Sequence, residues 1–110
     1  MSEHVDVVYL KIIFDFIEKI EKYTANQTQE EFLKDELTID AVLLNLIQLG
    51  ETANKLSEEF KDIHDGIDWF KLRGLRNRIV HDYQGTNLPI VWKIVKEDIA
   101  ELKKFIEKII

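Results

Sequence analysis

The chain has no cysteine, one proline, four glycines and only three arginines in 110 residues. The missing cysteine excludes disulfides and thiolate metal sites, and it fits a reducing cytoplasm. So little proline and glycine leaves little punctuation, which favours a few long helices over many short strands. Met1-Ser2-Glu3-His4 has no basic n-region, and no apolar run approaches a membrane span. A cytoplasmic protein is therefore expected, with no part in a membrane. There is no glycine-rich phosphate loop, no serine nucleophile elbow and no His/Asp/Glu arrangement with metal-ligand spacing. The carboxylates of Glu58-Glu59 and Glu97-Asp98 read as solvated faces.

What is present describes an ordinary globular chain. Hydrophobic residues make up 45% and charged residues 33%, which suits one folded domain over residues 1–110. The net charge of −6 argues against broad nucleic-acid binding through a basic face. That average hides an asymmetry. From Trp69 to Tyr83 there are four Lys/Arg and one Asp, a local charge of +3, and the remainder carries −9. A cationic patch on an acidic body holds an anion at one spot and repels it elsewhere.

Hydrophobic spacing predicts an antiparallel four-helix bundle, all-α, with a short extra helical segment. The first helix carries Val5, Val8, Tyr9, Ile12, Ile13, Phe16 and Ile20, with a second stripe of Val7, Leu10, Phe14 and Ile17. Two stripes exceed what a surface helix of a monomer needs, so part of this surface is a candidate subunit interface. A short helical piece is predicted around Glu30-Glu31-Phe32-Leu33. The second long helix is predicted from about Leu37 to about Ile63, and Gly50 inside it points to close approach of another backbone. Asp68 suits the N-cap of a third helix, Trp69 to about Tyr83, with Gly85 as its stop. Pro89 suits the first turn of a fourth, in which Trp92, Val95, Ile99, Leu102, Ile106 and Ile109 alternate steps of three and four.

All three arginines, Arg73, Arg76 and Arg78, fall on the third helix beside His81 and Tyr83. A guanidinium is a fixed cation whose planar fork suits phosphate, which a lysine does not reproduce. At about 100° per residue, Asn77 and His81 are neighbours, whereas Arg76 and His81 stand roughly 140° apart. They meet only on a ligand in a groove, or with help from a second copy of the chain. A plainer reading also accounts for these residues. The helix dipole favours a histidine in a last turn, exposed arginines are commonly solvated, and Tyr83 serves as half-buried packing. His4 and His64, in terminal and turn contexts, read as ordinary surface residues.

Arg76-Asn77-x-x-x-His81-x-Tyr83 resembles the signature of the HEPN domain superfamily, and the tyrosine after the histidine resembles its HepT-like branch of prokaryotic toxins. Gly50-Glu51-Thr52-Ala53-Asn54, Asp68-Trp69, Leu72-Arg73-Gly74-Leu75-Arg76-Asn77 and Val91-Trp92 extend the likeness over nearly the whole chain. The resemblance implies an endoribonuclease toxin, of a type II or VII kind of toxin–antitoxin pair, that needs no metal or cofactor. It implies a homodimer with motifs from both copies lining one cleft. Arg76 and His81 would be the catalytic pair and Asn77 the supporting polar residue, with Lys71, Arg73 and Arg78 holding the RNA backbone. The implied partner is an MNT-type nucleotidyltransferase antitoxin that transfers AMP to Tyr83, placing charge and bulk beside Arg76.

The chemistry fits. An imidazole titrates near neutrality and can shuttle a proton from a ribose 2′-hydroxyl or to the leaving 5′-oxygen. An arginine can stabilise charge on the phosphoryl group. The alternative is a non-catalytic helical module that binds and regulates a partner nucleotidyltransferase.

Overall fold

Apolar residues at helical spacing build α1 (Glu3–Thr24) in the computed structural model, which describes residues 3–110 and their side chains from residue 5 onward. The histidine at position 4 lies outside the described side chains. The buried stripe of α1 is Leu10, Ile13, Ile17 and Ile20, drawn from both predicted stripes, while Val8 and Ile12 remain exposed. After a polar turn, α2 (Gln29–Leu33) forms where the short helical piece was predicted. A capping box starts it: the Glu31 N–H donates to the Thr28 hydroxyl and the Thr28 N–H donates to the Glu31 carboxylate. Its Phe32 is fully buried against Trp92.

The helix predicted over Leu37–Ile63 is in fact two, α3 (Glu36–Ala53) and α4 (Glu58–Ile63). Ser57 explains the break. Its hydroxyl accepts from the Phe60 N–H at 3.1 Å and so caps α4. Its own N–H and hydroxyl donate to Asp6 of α1, at 2.9 and 2.8 Å. Asp6 is 2% exposed, and a helix running straight through would strip its carboxylate of both donors. The next turn also departs from expectation, because His64 is not a free surface residue. It is half-buried between Phe60 and Phe105, with ring centroids 4.5 and 5.2 Å away, and its carbonyl accepts from the Trp69 indole.

Asp68 caps α5 (Trp69–His81) as predicted, accepting from the Lys71 N–H at 2.9 Å. This helix ends at His81, two residues short of Tyr83. Asp82 leaves the helical conformation, and its carboxylate accepts from the Gly85 N–H at 3.0 Å. The predicted fourth helix is also two, α6 (Leu88–Lys96) and α7 (Asp98–Ile109), interrupted at Glu97. Asn87 caps α6 and Pro89 sits in its first turn. Val95, Ile99, Leu102 and Ile106 are all buried, so the apolar spacing runs through the interruption and conceals it.

The predicted all-α bundle is what forms. In it α3 is central, packed by α1 on one side and α5 on the other, with α7 closing against α1. No helix among the described residues is long and apolar enough to cross a membrane.

Candidate active site

Helix α5 commits Leu72, Leu75 and Ile79 to the core, which leaves Arg73, Asn77, Arg78 and His81 on its exposed side. Arg76 falls between these faces, on the flank toward α3. Gly50 makes room for it there. A Cβ at position 50 would lie 2.6 Å from the Arg76 Cβ, closer than carbon atoms approach, and a tight 3.3 Å from the Leu72 carbonyl oxygen. The close approach expected at Gly50 is therefore real, and its partner is the segment of α5 that carries the arginine.

Two groups fix the Arg76 guanidinium. Its Nη2 donates to Glu51 Oε1 at 2.8 Å and its Nη1 to Asn77 Oδ1 at 3.0 Å. Its Nε is buried without a partner. Arg76 is thus oriented but turned toward α3.

The exposed side of α5 borders a cleft of about 440 Å³, closed by residues 82–87 and the start of α6. Leu75, Ile79 and Val91 give it an apolar lining, with Asn77, Arg78 and His81 as polar groups. Its size and makeup, an apolar cavity with a few convergent polar groups, suit a bound ligand. His81 and Asn77 meet there, as their four-residue spacing requires. Arg76 does not line this cleft. Asn77 connects the two, with one side in the cleft and its carbonyl on the guanidinium.

The remaining candidates are scattered. Arg73 borders a shallow depression with Asn54, Glu58 and Trp69 near the start of α5. Lys71 forms an ion pair with Asp98 of α7, and that contact raises its pKa above the usual lysine value. Arg73 and Arg78 form no ion pair among the described residues, so their charge is open to an incoming anion.

Tyr83 lies past the end of α5, and its hydroxyl donates to Asp40 Oδ1 of α3 at 2.6 Å. Burial first, then the hydrogen bond and negative charge of Asp40, push the phenol up to about 12. Asp40 and Glu51 are eleven residues apart on α3, or roughly 16 Å at 1.5 Å per residue. Neither Asp40 nor Glu51 stood out in sequence as a site residue. Their partners are 43 and 25 positions away, and no local pattern marks contacts of that range.

A family model described as "Ribonuclease HepT-like" matches residues 13–109. The chain belongs to that family. It is 38% identical over 101 residues to "Probable ribonuclease HepT" of Thermococcus cleftensis, covering 92% of each chain. It is 34% identical over 102 residues to "Gamma-glutamylcyclotransferase and putative RNase MJ0434" of Methanocaldococcus jannaschii, covering 93% of this chain and 46% of that longer protein. No solved structure matches the chain. The HepT-like span takes in Gly50, Glu51, the whole of α5 and Tyr83, so the close contact between α3 and α5 lies inside the family domain.

Proposed function

We propose that this HepT-like chain is a metal-independent endoribonuclease, the toxin of a toxin–antitoxin pair, working as a homodimer. The observation that carries this reading is the meeting of His81, Asn77 and Arg78 in one cleft on the open side of α5, with Arg76 oriented behind Asn77. His81 takes the proton of a ribose 2′-hydroxyl, the 2′-oxygen bonds to the adjacent phosphorus as the P–O5′ bond breaks, and the 5′-oxygen leaves and is protonated, so that the product is a 2′,3′-cyclic phosphate. Arg76 stabilises the charge that develops on the phosphoryl group. Within one chain Arg76 faces α3, outside the cleft, so the site is completed by the Arg76 of a second copy. Arg73, Arg78 and Lys71 hold the RNA backbone, and Lys71 must exchange Asp98 for a phosphate to do so.

The proposed control is transfer of AMP to Tyr83 by an MNT-type nucleotidyltransferase antitoxin. The Tyr83 pocket and the His81 cleft share Thr86 as a common wall. A nucleotide on Tyr83 therefore obstructs the approach to His81, whereas Glu51, which holds the Arg76 of the same chain, lies roughly 16 Å along α3 from Asp40. The test is to incubate the purified protein with total RNA in EDTA. RNA is expected to be cut, and His81→Ala and Arg76→Ala are each expected to abolish cutting. Intact RNA with a folded, unmodified dimer rejects the reading.

One observation favours a second reading, a non-catalytic module that binds and regulates a nucleotidyltransferase. The Glu51 carboxylate already neutralises Arg76. On that reading the partner's activity changes on binding, RNA stays intact, and cells tolerate the wild-type chain as well as His81→Ala.

A further inference from the structure

Among the described residues only one of the three tyrosines has its hydroxyl on a carboxylate. Tyr83 donates to Asp40 at 2.6 Å, and Tyr9 and Tyr23 make no such contact. The Tyr83–Asp40 pair sits in an open pocket of about 430 Å³, bordered by Glu36, Gln84, Thr86 and Leu88. Asp40 is exposed, Tyr83 is a little over one-third exposed, and the pocket beside them opens to solvent. A nucleophile touching a base, with room for a substrate beside it, is the arrangement that nucleophilic substitution needs.

We propose that Asp40 is the general base that activates Tyr83 for nucleotidyl transfer. This rests on the reading of Tyr83 as the control site. The phenol oxygen attacks the α-phosphorus of a nucleoside triphosphate, and a new O–P bond forms. The bond to the leaving pyrophosphate breaks and its electrons depart with pyrophosphate. The phenolic proton passes to Asp40 Oδ1 and then to solvent. With the phenol pushed up to about 12, prior ionisation supplies almost no phenolate near neutrality. The proton must therefore leave as the O–P bond forms, when the phenol oxygen becomes far more acidic. A carboxylate already hydrogen-bonded to it accepts the proton without rearrangement. Glu36 and Asp40 also repel a free polyphosphate, which favours a nucleotide delivered by a bound enzyme over one arriving unaided.

The experiment uses the full chain with its nucleotidyltransferase partner and isotope-labelled ATP, following label on Tyr83 at saturating partner. Tyr83→Phe defines the background. Asp40→Asn keeps an oxygen that accepts from the phenol but is a very poor proton acceptor, so it separates orientation from base catalysis. Its labelling rate is expected to fall by about 100-fold, the lower end of what a positioned base contributes. The partner concentration giving half-maximal rate and the circular dichroism spectrum should be unchanged. Asp40→Glu should restore part of the rate. If the wild-type chain is labelled on Tyr83 and Asp40→Asn labels equally fast, the role of Asp40 is overturned and the switch stands. If the wild-type chain takes no label on Tyr83, both fall.

Discussion

Gly50 of α3 and Arg76 of α5 are in direct contact, with no space between them for a methyl group. Elsewhere in an α-helix, glycine to alanine is worth about 1 kcal/mol of added stability. Here the obstructing atom is the Arg76 Cβ, which cannot move without its backbone. Gly50→Ala must therefore push α5 from α3, and overpacking of this kind costs about 1–3 kcal/mol. The cost is expected to exceed the gain, lowering the denaturation midpoint. A rise in that midpoint would show that α5 yields freely. Ribonuclease activity should fall further than stability does, because the displaced element carries the arginine.

Glu51 is where the guanidinium rests, so its removal tests whether Arg76 works in the orientation it has. The ion pair is partly exposed, with side chains 29% and 44% accessible, and Glu51→Ala should change stability by at most about 1 kcal/mol. Activity is expected to drop roughly tenfold, since small misplacements of a charge-stabilising group are costly. Glu51→Gln keeps an oxygen for Nη2 and should retain most of the rate. Equal rates for the alanine variant and the wild type would mean that Glu51 does nothing to position Arg76.

Asp6 and Ser57 join α1 to the start of α4 across 51 positions. Asp6→Ala removes a nearly buried acceptor and orphans two donors, which costs about 1–3 kcal/mol. Chemical denaturation should show this loss, and Asp6→Asn should recover part of it. A loss below about 0.5 kcal/mol, the ordinary scatter of surface substitutions, would demote the contact to a surface one.

These contacts mark what the sequence makes legible. Local signals survive into the structure. Asp68 caps α5, Gly50 admits a close neighbour, and the short α2 forms around Glu30-Glu31-Phe32-Leu33 as expected, although its Thr28 cap lay outside that expectation. Ser57 ahead of Glu58-Glu59-Phe60 was a usable helix-start signal within the predicted long helix, outweighed there by continuous apolar spacing. The interruption at Glu97 has no such signal, because no side chain caps α7. In the candidate site, the four-residue spacing of Asn77 and His81 placed them in one cleft. Helical geometry also separated Arg76 from His81. What stayed hidden is what each polar group touches on α3, since register between distant helices is set by packing rather than by local residues.

Titration of Tyr83 gives a pH prediction with a definite sign. Its folded pKa, about 12, lies above the reference phenol value of about 10. The stabilisation that accompanies this shift is complete below pH 10 and is lost as pH rises through 12. Tyrosinate absorbance should show a late step in the wild type that Tyr83→Phe removes. Asp40→Asn should move that step part of the way down. Burial, the larger cause, would keep the rest in place. A late step unchanged by Tyr83→Phe would belong to another group and would sever Tyr83 from Asp40 in solution.

The separation of Arg76 from the His81 cleft within one chain leads to a complementation test. If each working site joins the arginine of one copy to the histidine of the other, Arg76→Ala and His81→Ala chains are separately inactive. In a mixed dimer, one of the two sites keeps both groups and the other has neither. Random exchange of the two variants should then recover about a quarter of wild-type cleavage, because half the dimers are mixed and each holds one good site. If both groups of a site came from one chain, mixing would recover nothing. The same samples run by size exclusion decide whether a failed recovery reflects chains that never pair. A monomer would remove the second copy from the mechanism, and a dimer without recovery would assign Arg76 and His81 to the same chain. The recovered fraction thus reads the geometry of catalysis directly, because only a shared cleft lets two dead variants cut RNA together.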